Sequence, residues 1–320
     1  MISGMTEQLI QPSTQSTMTD LAREMFAAQD RLAGRHSGRA SLASDLARFV
    51  GRIGNRLNRP PRIVLLGEFN SGKSTLANAL LGSEILPTSI HANTRVPLLI
   101  HYADTPSLSY ETPDRVRRPL DVSSIEDLRR GNAHMLHVGL PVARLKSFEL
   151  IDTPGFASGS SAVDDLILEA CRRSHIAVWC TVATQAWKAT EQALWAALPR
   201  RLHQRGVLAV THKDQIHSER DRQRLMARLG AEAADNFAGI ACVSAIEAQE
   251  ASREASQVSV GHTAPDAANS WTDSGGRLLE SQLRTAIEND STSRQTSAER
   301  LLQRATQRLL APPSGRLLTT

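Results

Sequence analysis

The segment Gly67 to Thr75 reads GEFNSGKST and matches the pattern G-x-x-x-x-G-K-[ST]. In this pattern the glycines let backbone N–H groups surround phosphates, the lysine contacts the β- and γ-phosphates, and the hydroxyl that follows it ligates Mg²⁺. The segment stands between an apolar run fit for a buried strand and the start of a helix, where an anion is favoured. The sequence therefore predicts a phosphate-binding loop. Its residues are Gly67, Glu68, Phe69, Asn70, Ser71, Gly72, Lys73, Ser74 and Thr75.

A second motif, Asp152-Thr-Pro-Gly155, follows the apolar run Phe148 to Ile151. A carboxylate at this place can hold Mg²⁺ through a water, and a glycine N–H can contact the γ-phosphate. Thr94 lies between the two motifs, where a switch residue can close on Mg²⁺. The predicted metal ligands are therefore Ser74, Thr94 and Asp152.

Two further motifs predict the base of the nucleotide. Thr211-His-Lys-Asp214 and Val243-Ser-Ala245 each end an apolar run. An aspartate there accepts hydrogen bonds from guanine, and adenine lacks those donors, so a carboxylate left unpaired disfavours ATP. A backbone N–H of the other motif can contact the guanine oxygen. Taken singly, Asp214 could be a loop or helix-capping residue, but the order of the motifs predicts GTP or GDP with Mg²⁺. The predicted base-site residues are Thr211, His212, Lys213, Asp214, Ser244 and Ala245.

The chain resembles the GTPase domain of the dynamin superfamily, especially of its bacterial members. The segments that carry the resemblance are, in chain order, GEFNSGKSTLANALLG, LPTSIHANTRVPLL, DTPG, THKD and VSA. The resemblance covers about residues 60–250. It implies GTP hydrolysis with Mg²⁺, a homodimer through the nucleotide-bound faces, and often work on lipid membranes. It also implies that hydrolysis uses groups of the phosphate loop and the switches. The catalytic residues are then Lys73, Thr94, Asn70 and Gly155, with Glu68 and Arg95 as further candidates.

The sequence departs from the family pattern in three places. His212 stands where the guanine motif has a lysine, and Lys213 comes one place later. Phe156 follows D-T-P-G, so no glutamine orients the attacking water from that position. About 70 residues follow residue 250, so we expect no long stalk. An alternative function is therefore a nucleotide-gated module that hardly hydrolyses GTP and binds a partner, such as a stalk-bearing dynamin-like protein. An Era-like ribosome-associated GTPase is a third hypothesis, but no RNA-binding motif follows, and nucleic-acid binding is not expected.

The elements that must position these motifs alternate between strand and helix, which predicts an α/β fold with a mostly parallel central sheet. Predicted strands are 62–67, 96–102, 146–152, 175–182, 206–211 and 239–244, and predicted helices are 74–81, 162–174, 188–204 and 218–235. An excursion at 103–140 adds an antiparallel strand and a short helix near Ser124 to Arg130. Trp187 either packs in the core or faces a dimer surface, while Trp179 and Trp195 are predicted core residues.

The flanks of this domain predict a small helical bundle. Residues 1–18 are polar and predicted to be disordered, and 19–59 carry an amphipathic helical pattern. The GTPase domain takes 60–250, and 251–276 is predicted as a linker. A second helical block at 277–311 is expected to pack with 19–59, and a loose tail follows at 312–320. Ser291 to Ser293 are predicted to divide the second block in two.

Composition favours a cytoplasmic protein. The hydrophobic fraction is 41%, which suffices for a core, and three scattered cysteines predict neither a zinc site nor disulfides. We find no signal peptide and no apolar run near the length of a membrane span. Residues 23–62 hold nine arginines against three acidic residues. This basic stretch is either a solvated helix face or a contact with an anionic membrane surface, so a peripheral place at the inner face of the membrane stays open.

Overall fold

The structure is a computed structural model, and it describes residues 40–82, 96–120, 133–156, 161–257 and 265–310. Of these, 61–287 belong to one compact unit, and 40–60 together with 288–310 belong to a second. The first unit contains every predicted nucleotide motif that the structure describes.

A sheet with parallel strands at its centre forms the first unit. The strands are β1 (Arg62–Leu66), β2 (Leu98–Tyr102), β3 (Ser107–Glu111), β4 (Arg117–Pro119), β5 (Met135–Leu140), β6 (Glu149–Asp152), β7 (Ile176–Val182), β8 (Gly206–Thr211) and β9 (Gly239–Cys242). In the described residues their order is β4-β3-β5-β2-β6-β1-β7-β8-β9. The run from β6 to β9 is parallel, and β2 pairs antiparallel with β6. The predicted α/β fold class is thus confirmed.

Helices follow most of the parallel strands. They are α1 (Ala40–Leu57), α2 (Lys73–Leu81), α3 (Ser161–Arg173), α4 (Ala189–Ala196), α5 (Arg200–His203), α6 (Glu219–Glu232), α7 (Ala245–Gln257), α8 (Pro265–Asp273) and α9 (Gly276–Leu310). Helix α7 packs on α2, where Ser252 Oγ donates to Ala79 O at 3.2 Å. The core beside β7 is aromatic and contains Phe156, Trp179, Trp187, Trp195 and Phe237. All three cysteines are buried thiols, and burial raises the pKa of Cys180 to about 12.

The predicted strands agree with the structure to within a few residues, but one helical prediction needs correction. The predicted helix 188–204 is divided into α4 and α5 because Pro199 lies between them, where it precedes the first turn of α5. The predicted excursion contains β3, β4 and β5, and its short helix near Ser124 to Arg130 lies outside the described residues. Trp187 is buried and packs edge-on against Phe237, so it belongs to the core rather than to an exposed surface.

Two predictions about the C-terminal part are wrong. The predicted linker 251–276 contains the end of α7 and all of α8. Helix α9 is continuous through Ser291 to Ser293, where a break was expected. Thr292 Oγ1 donates to Glu288 O at 3.0 Å, so its hydroxyl is satisfied inside the helix, and the carboxylate of Asp290 lies 2.8 Å from Arg294 Nε.

The second unit contains α1 and the part of α9 after Ile287. Val50, Gly51, Gly54 and Leu57 form the buried face of α1, while Arg48 and Arg52 are exposed. Beyond the end of α1, Arg59 O accepts a hydrogen bond from Arg294 Nη1 at 3.1 Å. Residues 19–39 of the predicted helical segment lie outside the described residues.

Buried titratable groups connect the outer strands of the first unit. Glu111 on β3 accepts from both terminal nitrogens of Arg173 at 2.7 and 2.8 Å, and its Oε2 lies 3.4 Å from His137 Nε2 on β5. Burial alone would raise the pKa of Glu111, but the hydrogen bonds from Arg173 outweigh it and lower the pKa. Burial, helped by the charge of Arg117, lowers the pKa of His137 to about 4.

We therefore expect the free energy of unfolding to fall as the pH drops from about 6.5 to 4. In this range the unfolded chain binds a proton at His137 that the folded chain does not bind, so acid favours unfolding, by up to about 3 kcal/mol. Urea unfolding at several pH values measures the effect. His137→Gln should flatten the dependence, whereas the same change at exposed His217 should not. An unchanged pH dependence in His137→Gln would contradict the assignment.

Candidate functional site

The phosphate-binding loop connects β1 to α2 through unusual backbone conformations. Asn70 and Gly72 have φ angles of 59° and 80°, and Gly72 caps the first turn of α2. At Gly67 a Cβ atom would lie 2.3 Å from Cys180 O on β7, so the loop passes directly against the neighbouring strand. A side chain at position 67 would displace this backbone, which explains the glycine physically.

Lys73 lies at the centre of the loop. Its ammonium donates to Glu68 O at 2.6 Å and to Gly67 O at 3.2 Å, and the residue is 7% exposed. Burial lowers the pKa of Lys73, while the nearby carboxylates of Asp152 and Glu68 oppose this shift. A desolvated ammonium inside a loop at a helix N-terminus is an arrangement that favours binding of an anion.

The two predicted metal ligands that the structure describes lie side by side. Ser74 Oγ, in the first turn of α2, donates to Asp152 Oδ2 at 2.8 Å. The parallel register of β1 and β6, which sets Leu65 opposite Asp152, brings them together. A hydroxyl and a carboxylate fit Mg²⁺, which prefers oxygen ligands and usually keeps waters or phosphate oxygens as well. The third predicted ligand, Thr94, lies outside the described residues, as does Arg95.

The Asp152–Gly155 motif packs against the phosphate-binding loop through its backbone. At Gly155 a Cβ atom would lie 2.6 Å from Phe69 N, and Phe156 N donates to Gly67 O at 3.2 Å. Phe156 is 3% exposed and stacks on Trp179, with ring centroids 5.8 Å apart. Its side chain therefore faces the core and cannot orient a water at the phosphates.

Glu68 has partners that the sequence analysis did not find. Lys188 Nζ lies 2.6 Å from Glu68 Oε2, and Thr190 Oγ1 donates to Glu68 Oε1 at 2.9 Å. Partial burial alone would raise the pKa of Glu68, but these hydrogen bonds outweigh it and lower the pKa. Glu68 is therefore an ionised anchor of the loop. No local pattern in the sequence points to this pair, because Glu68 and Lys188 lie far apart in the chain.

A buried carboxylate positions Lys188 in turn. Glu191 Oε2 accepts from Thr181 Oγ1 at 2.8 Å and from Lys188 N at 3.1 Å, and Glu191 Oε1 accepts from Trp179 Nε1 at 3.3 Å. Burial raises the pKa of Glu191, although the three hydrogen bonds oppose the shift. The segment after β7 is thus fixed next to the phosphate-binding loop.

The predicted base loop begins at the end of β8 and contacts the phosphate-binding loop. Thr211 Oγ1 lies 2.9 Å from Ser71 O and 3.0 Å from His212 Nδ1. The imidazole of His212 also contacts Gly72, with Cε1 3.4 Å from where a Cβ atom would lie. The Lys213 ammonium points elsewhere and donates to Asp273 O, at the end of α8. Asp214 is exposed.

The second base motif lies at the end of β9. Ser244 is buried, its N–H donates to Ser274 O at 2.8 Å, and its Oγ accepts from Glu247 N at 3.3 Å in the first turn of α7. The Ser244 N–H is therefore engaged with protein. Ala245, the first residue of α7, follows it, so its N–H is the better candidate for a contact with guanine.

The central parallel sheet, with a loop at the N-terminus of α2 and two loops after β8 and β9, has the fold of a P-loop GTPase. Residues 63–214 match the model of the Dynamin family. The predicted resemblance of this part of the chain to a GTPase domain of the dynamin superfamily is therefore confirmed.

Curated relatives share parts of this domain. Dynamin-like protein 2 of Campylobacter jejuni is 28% identical over 185 residues, which cover 56% of this chain and 29% of that protein. Isoniazid-induced protein IniC of Mycobacterium tuberculosis is 36% identical over 116 residues, which cover 34% of this chain and 24% of that protein. The chain thus spans less than a third of the length of these relatives.

A solved structure of an oligomerised bacterial dynamin pair, described as providing a mechanism for long-range sensing and tethering of membranes, has the same fold. It matches with a TM-score of 0.62 at 16% identity, over 94% of this chain and 56% of that chain. In the described part of the present chain, no helix combines the length and apolar character required to cross a bilayer.

We expect Gly155→Ala to weaken nucleotide binding by about tenfold or more, because the added methyl would overlap the backbone of Phe69 and displace the phosphate-binding loop. Titration with a fluorescent GDP measures this. Gly230→Ala is the matched control, since a Cβ atom there meets nothing within 4 Å. Equal affinity in Gly155→Ala and Gly230→Ala would show that the close contact does not matter for binding.

Proposed function

We propose that this protein binds guanine nucleotides and hydrolyses GTP to GDP and phosphate with Mg²⁺. The observation that carries the proposal is the 2.8 Å contact between Ser74 Oγ and Asp152 Oδ2 beside the buried ammonium of Lys73. Catalysis of phosphoryl transfer consists mainly of positioning and of stabilising charge, and these groups suit that task.

The proposed roles follow from the positions of the residues. Lys73 neutralises charge on the β- and γ-phosphates, and Gly155 N–H contacts the γ-phosphate. Ser74 and Asp152 would hold Mg²⁺, which supplies charge neutralisation when bound. Asn70, exposed on the loop, and Thr94 are the proposed catalytic neighbours of the transferred phosphate.

Guanine selectivity is assigned to the loops after β8 and β9. Asp214 would accept hydrogen bonds from the base, and the Ala245 N–H would donate to its oxygen. His212 would replace the usual lysine as the side chain next to the base, since its imidazole already lies against Gly72.

Hydrolysis is expected to be slow until a second copy contributes to the site, because the side chain of Phe156 is in the core. Phe69, on the phosphate-binding loop, is 76% exposed, and aromatic side chains are enriched at protein interfaces. We assign this surface to a homodimer across the nucleotide face. The second candidate is a nucleotide-gated module with negligible turnover that binds a partner such as a stalk-bearing dynamin-like protein, and the buried Phe156 favours it.

The cellular setting we propose is the cytoplasm, with peripheral contact to an anionic membrane. In the second unit Phe49 is 38% exposed on α1 beside exposed Arg48 and Arg52. Exposed arginines around an aromatic side chain suit an anionic surface. The bundle of 19–59 with 277–311 remains our proposal for the helical flanks.

We expect GTP-selective hydrolysis whose rate per protein molecule rises with protein concentration. Lys73→Ala should lower the rate by about 100-fold or more, because the buried positive charge that would neutralise the transferred phosphate is lost. Phosphate release from GTP and ATP with Mg²⁺ is the measurement, and Lys146→Ala, an exposed lysine over the ring of Tyr102, is the control.

Three results would lead to different conclusions. Equal turnover of GTP and ATP would contradict the base assignment. Normal hydrolysis by Lys73→Ala would contradict the site itself. Tight guanine binding with flat, near-zero turnover at every protein concentration would favour the nucleotide-gated module.

A separate prediction concerns the dimer face. Phe69→Ser should remove most of the dependence of the specific rate on protein concentration, because an interface anchored by an exposed aromatic loses its main apolar contact. The matched control is Val116→Ser, a change at another exposed apolar residue, in the turn between β3 and β4. Sedimentation with a GTP analogue would report the dimer directly, and a Phe69→Ser protein that still dimerises fully would exclude this surface.

A further inference from the structure

The turn between α8 and α9, residues Trp271 to Gly276, receives hydrogen bonds from both predicted base loops. Lys213 Nζ donates to Asp273 O, and Ser244 N donates to Ser274 O at 2.8 Å. We call this segment the α8–α9 turn. It lies within the predicted linker 251–276, for which the sequence predicts no role.

The α8–α9 turn also packs directly on the end of β9. Gly275 has a φ angle of 88°, and a Cβ atom there would lie 2.0 Å from Cys242 O. Ser274 is fully buried, and its Oγ donates to Trp271 O at 2.8 Å. The turn is thus a close-packed neighbour of the base site rather than a loose connection.

The start of α9 joins the same packed group. Trp271 Nε1 donates to Glu280 Oε2 at 3.1 Å, and Gln282 Nε2 donates to Ile240 O on β9 at 3.0 Å. Helix α9 continues to Leu310, and its residues after Ile287 belong to the second unit. The α8–α9 turn therefore directly precedes α9 and is held to β9 by the first residues of that helix.

We propose that the α8–α9 turn senses whether a guanine base is bound, and that Lys213 is the positioning residue that couples the two. The inference rests on the proposed function. Lys213 precedes Asp214, and Ser244 precedes Ala245, so each proposed base contact is covalently adjacent to a residue that holds the turn. A bound nucleotide that orders Asp214 and Ala245 also lowers the conformational freedom of Lys213 and Ser244. Because these two residues hold the α8–α9 turn, the turn is stabilised. The coupling is reciprocal, so loosening the turn weakens nucleotide binding by the same factor.

In this mechanism the turn responds to the guanine base of the ligand and not to its γ-phosphate. GDP and GTP carry the same base, so both stabilise the α8–α9 turn equally. A device that reads the γ-phosphate would distinguish the two nucleotides. The coupling proposed here reports occupancy of the site and not the progress of hydrolysis.

Hydrogen exchange of the full chain, read by mass spectrometry, tests the proposal with GDP and with a non-hydrolysable GTP analogue. Both should slow exchange in residues 271–283 by about fivefold or more in the native protein. Lys213→Met should remove that protection, keep protection in the phosphate-binding loop and weaken GDP binding. Lys146→Met is the matched control. Strand β3, at the other end of the sheet, is the internal reference for global stabilisation.

A second variant tests the reverse direction from outside the base loops. Trp271→Phe removes the hydrogen bond to Glu280 and should weaken GDP binding, although Trp271 is no proposed ligand of the nucleotide. Slower exchange in 271–283 with the GTP analogue but not with GDP would overturn the proposal. Unchanged exchange in 271–283 while the phosphate-binding loop is protected would overturn it as well. If guanine nucleotides protect no segment at all, the proposed function fails as well, which separates the two failures.

Discussion

The parallel register of β6, β1 and β7 is the constraint on which the site depends. It places Asp152 opposite Leu65 and Trp179 opposite Leu66, so that three strand ends meet at one edge of the sheet. The loop after β1 then has little space, and glycines stand where backbone from β7 or the next motif approaches most closely. A residue with a side chain at Gly67 would separate these strand ends. The proposed metal-ligating pair, the buried lysine and the backbone contacts all require this one arrangement.

Positive and negative side chains alternate from the buried lysine of the phosphate-binding loop toward the segment after β7. The buried ammonium of Lys73 lies near Asp152 and Glu68, the carboxylate of Glu68 pairs with Lys188, and the backbone of Lys188 bonds to Glu191. Each charge away from water is matched by a partner, which lowers the cost of desolvation. Glu191 contacts Trp179, on which Phe156 stacks, so the same series reaches the segment after Gly155. The polar contacts of the phosphate-binding loop are therefore connected to the aromatic core.

The sequence predicted the elements whose evidence is local. Strands β1, β7 and β8 are continuous apolar runs, and the phosphate-binding motif has fixed spacing, so both could be recognised without a structure. Contacts between distant segments could not. The pair of Glu68 and Lys188 joins residues 120 positions apart in the chain, and no periodicity points to it. The continuity of α9 was missed because serine and threonine usually favour helix ends. Here Thr292 instead bonds to the carbonyl one turn earlier.

The departures at His212 and Lys213 are two sides of one rearrangement. The backbone at His212 is left-handed, with a φ angle of 58°, and this turns neighbouring side chains to different sides of the loop. His212 faces the phosphate-binding loop at Gly72, whereas Lys213 faces the end of α8. Because the lysine stands at position 213 and not at 212, the shorter and flatter imidazole of His212 lies next to the phosphate-binding loop. The ammonium of Lys213 bonds with Asp273 O instead. The loop after β8 thereby contacts the phosphate-binding loop and the end of α8 at once, and these contacts offset the cost of a non-glycine residue in left-handed backbone.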